Sequence, residues 1–268
     1  MQTNFICTTC GVQKAATESE PSHCMICEDD RQYVNWNGQQ WTTLEALQKD
    51  YKNKIYGVEP QLYRLQTEPK FAIGQKAYLL QSPSGNILWD CITLLDEATQ
   101  QQIEELGGIQ AIGVSHPHYY ATVVEWSRAF GHIPIYIHAS DQQWIQRPDP
   151  VIRLWEGTYL DLWDGIKIIN CGGHFPGACV LHWPAGAEGK GILLSGDPVQ
   201  VAMDRKSVSF MYSYPNLIPL AKHQIIGIRD SLAGFAFEKI YGAFEPHIAQ
   251  DARAAFDRSI NRYLQIYN

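Results

Sequence analysis

The chain carries two histidines spaced i, i+2, His116 and His118, directly after the apolar segment 109–114. Imidazole nitrogen is a common ligand of zinc, iron and copper, and a strand that ends in a tight turn can direct both rings at one ion. The spacing therefore predicts half of a metal site.

Three later segments also place a polar group directly after a predicted strand. His174 lies in a glycine-rich turn at 171–177, Asp197 follows the apolar segment 191–195, and His247 follows 239–241. Glycine lets backbone and imidazole approach an ion closely. A lone histidine is more often structural than a ligand, but all these groups follow strands. We expect their loops to converge at one sheet edge.

The order and spacing of these residues resemble the metallo-β-lactamase superfamily, from about residue 71 to the C terminus. The resemblance implies an α+β fold, a four-layer αβ/βα sandwich. It also implies that His116, His118 and His174 hold one metal, and that Asp197 corresponds to the family's carboxylate that bridges two metals. By the same resemblance, His247 serves a second metal.

The loop departs from the family at the positions that would complete a second metal site. The family pattern is His-x-His-x-Asp-His, and this chain has Tyr120 and Ala121 in the last two places. Alanine cannot bind a metal, and a phenol with an ordinary pKa of about 10 is a poor ligand for a divalent ion. The resemblance therefore predicts one metal here, with iron as the alternative to zinc. The family's supporting strand-end aspartate corresponds to Asp90.

Four of the seven cysteines lie in the first 27 residues, as the pairs Cys7/Cys10 and Cys24/Cys27. Each Cys-x-x-Cys turn places two sulfurs on one side of a tight loop, and two such loops complete a tetrahedral zinc site. We predict a structural zinc in a zinc ribbon over residues 1–35, followed by a metallo-β-lactamase-like domain over 36–268.

Alternatives remain open for this cysteine segment. The alternatives to a metal site are four unrelated thiols or two disulfides, and disulfides are disfavoured in a chain without a secretory signal. The first pair is similar to an iron-binding loop of rubredoxin, whereas the second lacks the Pro and Gly usual there. His23, beside Cys24, could replace one thiolate. The three remaining cysteines are expected to be buried small hydrophobes: Cys91, Cys171 and Cys179.

These residues need a framework of strands backed by helices. The sequence predicts a strand over 31–36, a helix capped by Thr42 or Thr43, a hairpin over 77–90, and a helix over 96–106 that ends at two glycines. Further strands are expected at 109–114, 133–137, 159–162, 165–170, 179–183 and 191–195. Further helices are expected at 121–130, from 141, at 219–233 and at 249–267.

Composition narrows the partners of the chain. Lys and Arg number 21 against 28 Asp and Glu, a net charge of −7, and no basic run could neutralise a nucleic acid backbone. No apolar run is long enough to cross a bilayer, and the N terminus lacks signal-peptide features. We expect a cytoplasmic protein that binds neither nucleic acid nor membrane. The ribbon either packs on the main domain or mediates self-association.

The leading functional prediction is a metal-dependent hydrolase of a small molecule that uses a mononuclear zinc site and metal-bound water. Asp197 would ligate the metal or orient the water, and His247 would act as acid or base. Tyr120 is a candidate donor to a developing oxyanion. The alternatives are a mononuclear iron oxygenase, similar to the persulfide dioxygenases of this fold, and a non-catalytic metal-binding scaffold.

Overall fold

A computed structural model describes residues 2–267 of the chain. The chain divides into two compact units. The first is Met1–Ile137 with Gln142–Leu154, and the second is His138–Asp141 with Trp155–Asn268. No helix within the described residues is both long and apolar enough to cross a bilayer.

The first unit contains the cysteine segment, a large sheet and the His116 loop. Its elements are β1 (Ile6–Cys7), β2 (Trp41–Thr42), α1 (Leu44–Asp50), β3 (Lys52–Glu59), β4 (Leu62–Glu68), β5 (Ala77–Leu80), β6 (Ile87–Trp89), α2 (Glu97–Glu105), β7 (Ala111–Gly113), the 3-10 turn Pro117–Tyr119, α3 (Val123–Ala129), β8 (Ile135–His138) and β9 (Ile152–Trp155).

The main sheet of this unit has the strand order β3-β4-β5-β6-β7-β8-β9. Strands β3 to β6 are antiparallel neighbours, whereas β6, β7 and β8 run parallel. The residues of β5, β6 and β7 are all buried, as expected for central strands covered on both faces. The carboxyl ends of β6 and β7 therefore deliver Asp90 and the histidine pair to the same sheet edge.

The second unit contains the His174 turn and the Asp197 loop. Its elements are β10 (Tyr159–Asp161), β11 (Lys167–Asn170), β12 (Cys179–Trp183), a short turn α4 (Gly186–Gly189), β13 (Ile192–Leu194), β14 (Gln200–Val201), β15 (Val208–Ser209), β16 (Met211–Ser213), β17 (Ile218–Pro219), α5 (Lys222–Ser231), β18 (Lys239–Tyr241), β19 (His247–Ile248) and α6 (Ala252–Ile266).

The sheet of the second unit has the order β10-β11-β12-β13-β18-β19, and only the β13–β18 pair is parallel. Helices α5 and α6 cover it with an apolar cluster that includes Ile225, Ile228, Phe256 and Ile260, all at most 1% exposed. Each such side chain contributes about 1.5–3 kcal/mol when removed from water. This core supports the β11–β12 connection and the loop after β13, which carry His174 and Asp197.

Most predicted elements are present with ends shifted by one to three residues. Thr43 is the N-cap of α1 and accepts a hydrogen bond from the Ala46 amide. Thr43 is one of the two residues predicted for this cap. The predicted strand at 31–36 is wrong. The segment turns instead, since the Asn37 amide donates to Asn35 Oδ1 and the Gly38 amide donates to the Asn35 carbonyl.

The hairpin of β3 and β4 was not predicted. Its first strand alternates between exposed and partly buried residues and carries two lysines, so its apolar pattern is weak. It forms because β4 pairs with the buried strand β5 and β3 then pairs with β4 as the edge strand. Pairing with a neighbouring strand therefore outweighs a weak local preference.

The N-cap of α2 gives a test of this framework. Asp96 Oδ1 accepts hydrogen bonds from the Thr99 amide at 2.7 Å and the Thr99 hydroxyl at 2.6 Å. Replacement Asp96→Ala removes both, so we expect a loss of about 1–2 kcal/mol in the free energy of unfolding, measured with urea. The control Gln101→Ala, on the exposed side of the same helix, should change it by less than about 0.5 kcal/mol. Equal values for the two variants would contradict the assigned cap.

Candidate metal centre

The His116 loop begins where β7 ends and closes at once into a 3-10 turn. His116 has extended backbone and precedes Pro117, which occupies the first position of the turn. Proline is favoured at that position because its φ is already close to the helical value and because a backbone N–H there would have no partner within the turn. His116 is 1% exposed and His118 is 2% exposed. The local sequence thus holds both imidazoles in the protein interior.

Two neighbouring polar groups hold this loop and orient the His116 ring. Asp90 adopts a left-handed conformation at φ 62°, and its Oδ1 accepts a hydrogen bond of 2.7 Å from the Ser115 amide. The Ser115 hydroxyl lies 2.9 Å from His116 Nδ1. Such a contact to one ring nitrogen sets the ring's orientation and directs Nε2 toward a metal. Asp90 therefore acts on the loop backbone, in the supporting role that the resemblance implies.

His174 lies in the turn that joins β11 to β12. Gly172 and Gly173 have φ of 63° and 81°, and a Cβ at Gly173 would lie 2.7 Å from a methyl carbon of Leu220. Both glycines are thus required by conformation, and the second also by packing. His174 Nδ1 lies 2.9 Å from the Tyr212 carbonyl and 3.1 Å from the Met211 carbonyl. Because carbonyls only accept, Nδ1 carries the proton and Nε2 is the ligand atom.

Asp197 follows β13 in a loop that the Ser195 side chain closes. The Ser195 hydroxyl donates to the Val199 carbonyl at 2.7 Å. Asp197 Oδ2 lies 4.0 Å from His174 Nε2, and both side chains are at most 5% exposed. Two ligands on a tetrahedral zinc are about 3.3 Å apart for bonds of about 2.0–2.1 Å. The pair is therefore close to the spacing of two ligands on one ion.

Tyr214 adds a protonated phenol to this pair. Its hydroxyl donates to the Asp197 carbonyl at 3.0 Å, and its ring packs edge-on against His174 with centroids 5.7 Å apart. Burial, and then the nearby Asp197 carboxylate, raise the pKa of this phenol well above its ordinary value. Tyr214 thus stays neutral and holds the Asp197 backbone.

The predicted ligands form one pair in each unit. His116 and His118 lie in the first unit with ring centroids 5.0 Å apart, and His174 and Asp197 lie in the second. All four residues are buried. Three imidazole nitrogens and one carboxylate oxygen fit zinc or iron, and neither ion needs a thiolate. The donor set therefore fits the ion that the resemblance implies.

The remaining predicted site residues lie in different surroundings. Tyr120 is 5% exposed and helps to line a cavity of about 20 Å³ together with Val12 and Ile137. His247, in β19, stacks on Tyr241 with ring centroids 5.2 Å apart, and its Nε2 lies 3.0 Å from Arg205 Nη2. Among the described histidine, cysteine and acidic residues, His247 is not one of the candidate ligands.

The four N-terminal cysteines form a second group of candidate ligands. The Sγ atoms of Cys7 and Cys27 are 3.5 Å apart, and those of Cys10 and Cys24 are 3.6 Å apart. All four are free thiols and buried. Sulfurs on one tetrahedral zinc are about 3.8 Å apart for Zn–S bonds of about 2.3 Å. The group therefore fits a zinc ion, without a contribution from His23, which contacts Glu28 at 2.7 Å.

The cysteines outside this group match their predicted structural role. Cys91, Cys171 and Cys179 are buried and form no disulfide. Burial raises the pKa of Cys171 to about 12 and that of Cys91 well above its ordinary value. Thiols with such pKa values are poor nucleophiles at neutral pH.

The fold is that of the metallo-β-lactamases. The chain is similar to the DIM-1 metallo-β-lactamase, with a TM-score of 0.58 and 14% identity over 80% of this chain and 96% of that one. It is also similar to LRA-12, a class B3 di-zinc metallo-β-lactamase from an Alaskan soil metagenome, with a TM-score of 0.52 and 15% identity over 80% and 92%. These identities establish the fold alone. The predicted fold, with its N-terminal four-cysteine group, is confirmed.

Within this fold the chain belongs to the family of YmaE from Bacillus subtilis (strain 168), a protein described as uncharacterized. The two are 49% identical over 266 residues, which cover 98% of this chain and 97% of YmaE. No protein-family model matches the chain.

Two residues that support the centre were not predicted from the sequence. Ser115 is adjacent to His116, so its position alone could have suggested a contact with the ring. Tyr214 is 17 residues from Asp197, and no local pattern marks it. The tertiary structure alone shows this second contact.

The Ser115 contact predicts a change in metal affinity. Replacement Ser115→Ala removes the hydroxyl beside His116 Nδ1, and loss of such a contact weakens metal binding by about 10–100-fold. Competition with a chromophoric chelator measures this change. The matched control is Ser127→Ala, because this buried hydroxyl donates to the Ile133 carbonyl instead. The role of Ser115 is refuted by equal metal affinities in the two variants.

Proposed function

We propose that the protein is a hydrolase of a small molecule that uses one zinc ion held by His116, His118 and His174. The observations that carry this proposal are the buried pair His116 and His118 in the first unit and the buried pair His174 and Asp197 in the second. A zinc ion bound in such a set lowers the pKa of a coordinated water to about 7 and so supplies a nucleophile at neutral pH.

The residues around this centre orient the imidazole ligands, bind the metal or its water, and hold Asp197 in place. The Ser115 hydroxyl and the Met211 and Tyr212 carbonyls hold the rings of His116 and His174, so their ligand atoms are oriented in advance. In this proposal the Asp197 carboxylate ligates the metal or accepts the proton of the attacking water. Tyr214 holds the backbone of Asp197 while remaining protonated.

The net charge of the chain and the chemistry of zinc limit the class of substrate. The chain has a net charge of −7, which disfavours polyanions. An electrophilic carbonyl or phosphoryl group of a small molecule fits the chemistry that zinc supplies.

Four free cysteines arranged as ligands persist where thiols are kept reduced, which favours a cytoplasmic location.

Metal stoichiometry tests this proposal directly. We expect two zinc ions per chain in the purified protein, measured by elemental analysis. His116→Ala and His174→Ala should each leave one, since the cysteine group keeps its own. The control His223→Ala, on the exposed start of α5, should keep two. One zinc in the unaltered protein would contradict the proposed centre, and zinc plus iron would favour the oxygenase.

Tyr120 gives a second test, on catalysis rather than binding. If its phenol donates to a developing oxyanion, Tyr120→Phe should lower kcat by about 100-fold or more while the metal content stays at two. A panel of ester, amide, lactone and phosphoester substrates would first identify a chelator-sensitive activity. Unchanged kcat in this variant on that substrate would remove Tyr120 from the mechanism.

A further inference from the structure

The first cysteine knuckle, defined here as residues 7–13, lies against the segment 118–122 that follows the first metal-binding histidine. The Gln13 amide donates to the Ala121 carbonyl at 2.9 Å. Ala121 stands where the family has a metal-binding histidine, and its φ of 38° presents its backbone in an unusual conformation. The altered part of the loop thus contacts the cysteine module through its main chain.

Gln75 joins the two candidate metal sites through a single side-chain nitrogen. Its Nε2 donates to the Cys10 carbonyl at 2.9 Å and to the His118 carbonyl at 3.0 Å. Gln75 is 8% exposed. A buried amide whose two N–H groups are both used is held firmly, since losing either bond leaves a polar group unpaired. One residue of each metal site is therefore held by the same amide.

A further set of contacts runs beside Gln75. The Thr93 hydroxyl donates to the Gly11 carbonyl at 3.0 Å, and the Thr122 hydroxyl donates to the Thr93 carbonyl at 2.6 Å. Gly11 has φ of 81°, and a Cβ there would lie 2.4 Å from Thr93 Oγ1. Only glycine fits this approach. The knuckle is therefore built to pack closely on the framework of the histidine loop.

We propose that Gln75 is a positioning residue that couples the cysteine site to the histidine site. The proposal rests on the metal centre proposed above. Metal binding by the cysteines orders the knuckle, and the ordered Cys10 carbonyl then fixes Gln75. Gln75 in turn fixes the His118 carbonyl and the turn that carries this imidazole. Occupancy of the cysteine site thus raises metal affinity at the histidine site, and linkage requires the reverse effect to be equal.

Cobalt substitution in the full-length protein tests the coupling. Cobalt bound by thiolates has intense charge-transfer absorption, whereas cobalt bound by imidazoles has only weaker visible bands, so one titration reports both sites. The variant Gln75→Glu keeps the size of the side chain and removes both donors. The control Gln81→Glu alters another glutamine, whose Nε2 donates to the Leu106 carbonyl at 2.7 Å.

We expect Gln75→Glu to weaken cobalt binding at the histidine site by tenfold or more relative to Gln81→Glu. When the histidine site holds no metal, the cobalt affinities of the cysteine site in the two variants should agree within twofold. Gln75→Ala should reproduce this loss without adding a charge. Equal histidine-site affinities in Gln75→Glu and Gln81→Glu would overturn the coupling. If the unaltered protein binds no cobalt at the histidines, the proposed metal centre itself is wrong. If Gln75→Ala fails to fold, the comparison of Gln75→Glu with Gln81→Glu still decides between these results.

Discussion

The burial of two imidazoles in the first unit, and of an imidazole beside a carboxylate in the second, constrains much of this structure. Burying an ionised carboxylate is costly unless a positive charge or strong hydrogen bonds compensate it. In the centre proposed above, a divalent ion would supply that charge, and the neighbouring groups hold the rings in position for it. Ser115 supports His116, while the carbonyls of Met211 and Tyr212 support His174. The strand ends and glycine turns serve to place these groups.

The cysteine segment is part of the first unit rather than an appendage to it. Ile6 packs with Leu47, Phe71 and Leu94 in one apolar cluster, and β1 pairs with β2 directly before α1. A segment this short cannot form a core alone, so it relies on a metal and on the surface to which it is attached. Its contacts include the His118 turn, through the Cys10 carbonyl and Gln75. The cysteine group and the His116–His118 loop are therefore neighbours in a continuous hydrogen-bonded framework.

The departures from the family loop have a physical consequence beyond the loss of ligands. Ala121 offers only its carbonyl, and the Gln13 amide takes it. This position of the loop therefore contacts the cysteine knuckle through its main chain. In the proposed function, a single metal leaves substrate polarisation to protein groups, which is the role proposed for Tyr120.

Ligand types, their order and most strands were predictable from the sequence, because metal chemistry and apolar periodicity are local in the chain. His116, Asp197 and the cysteine pairs are such cases. The strand predicted at 31–36 was wrong, since turn-forming side-chain contacts outweighed a short apolar pattern there. The hairpin of β3 and β4 depends on pairing with β5. Tyr214 contacts Asp197, which is 17 positions away in the chain. Gln75 contacts His118 and Cys10, which are 43 or more positions away. Only the tertiary structure decides such partners, because folding brings together groups whose separation in sequence carries no repeating pattern.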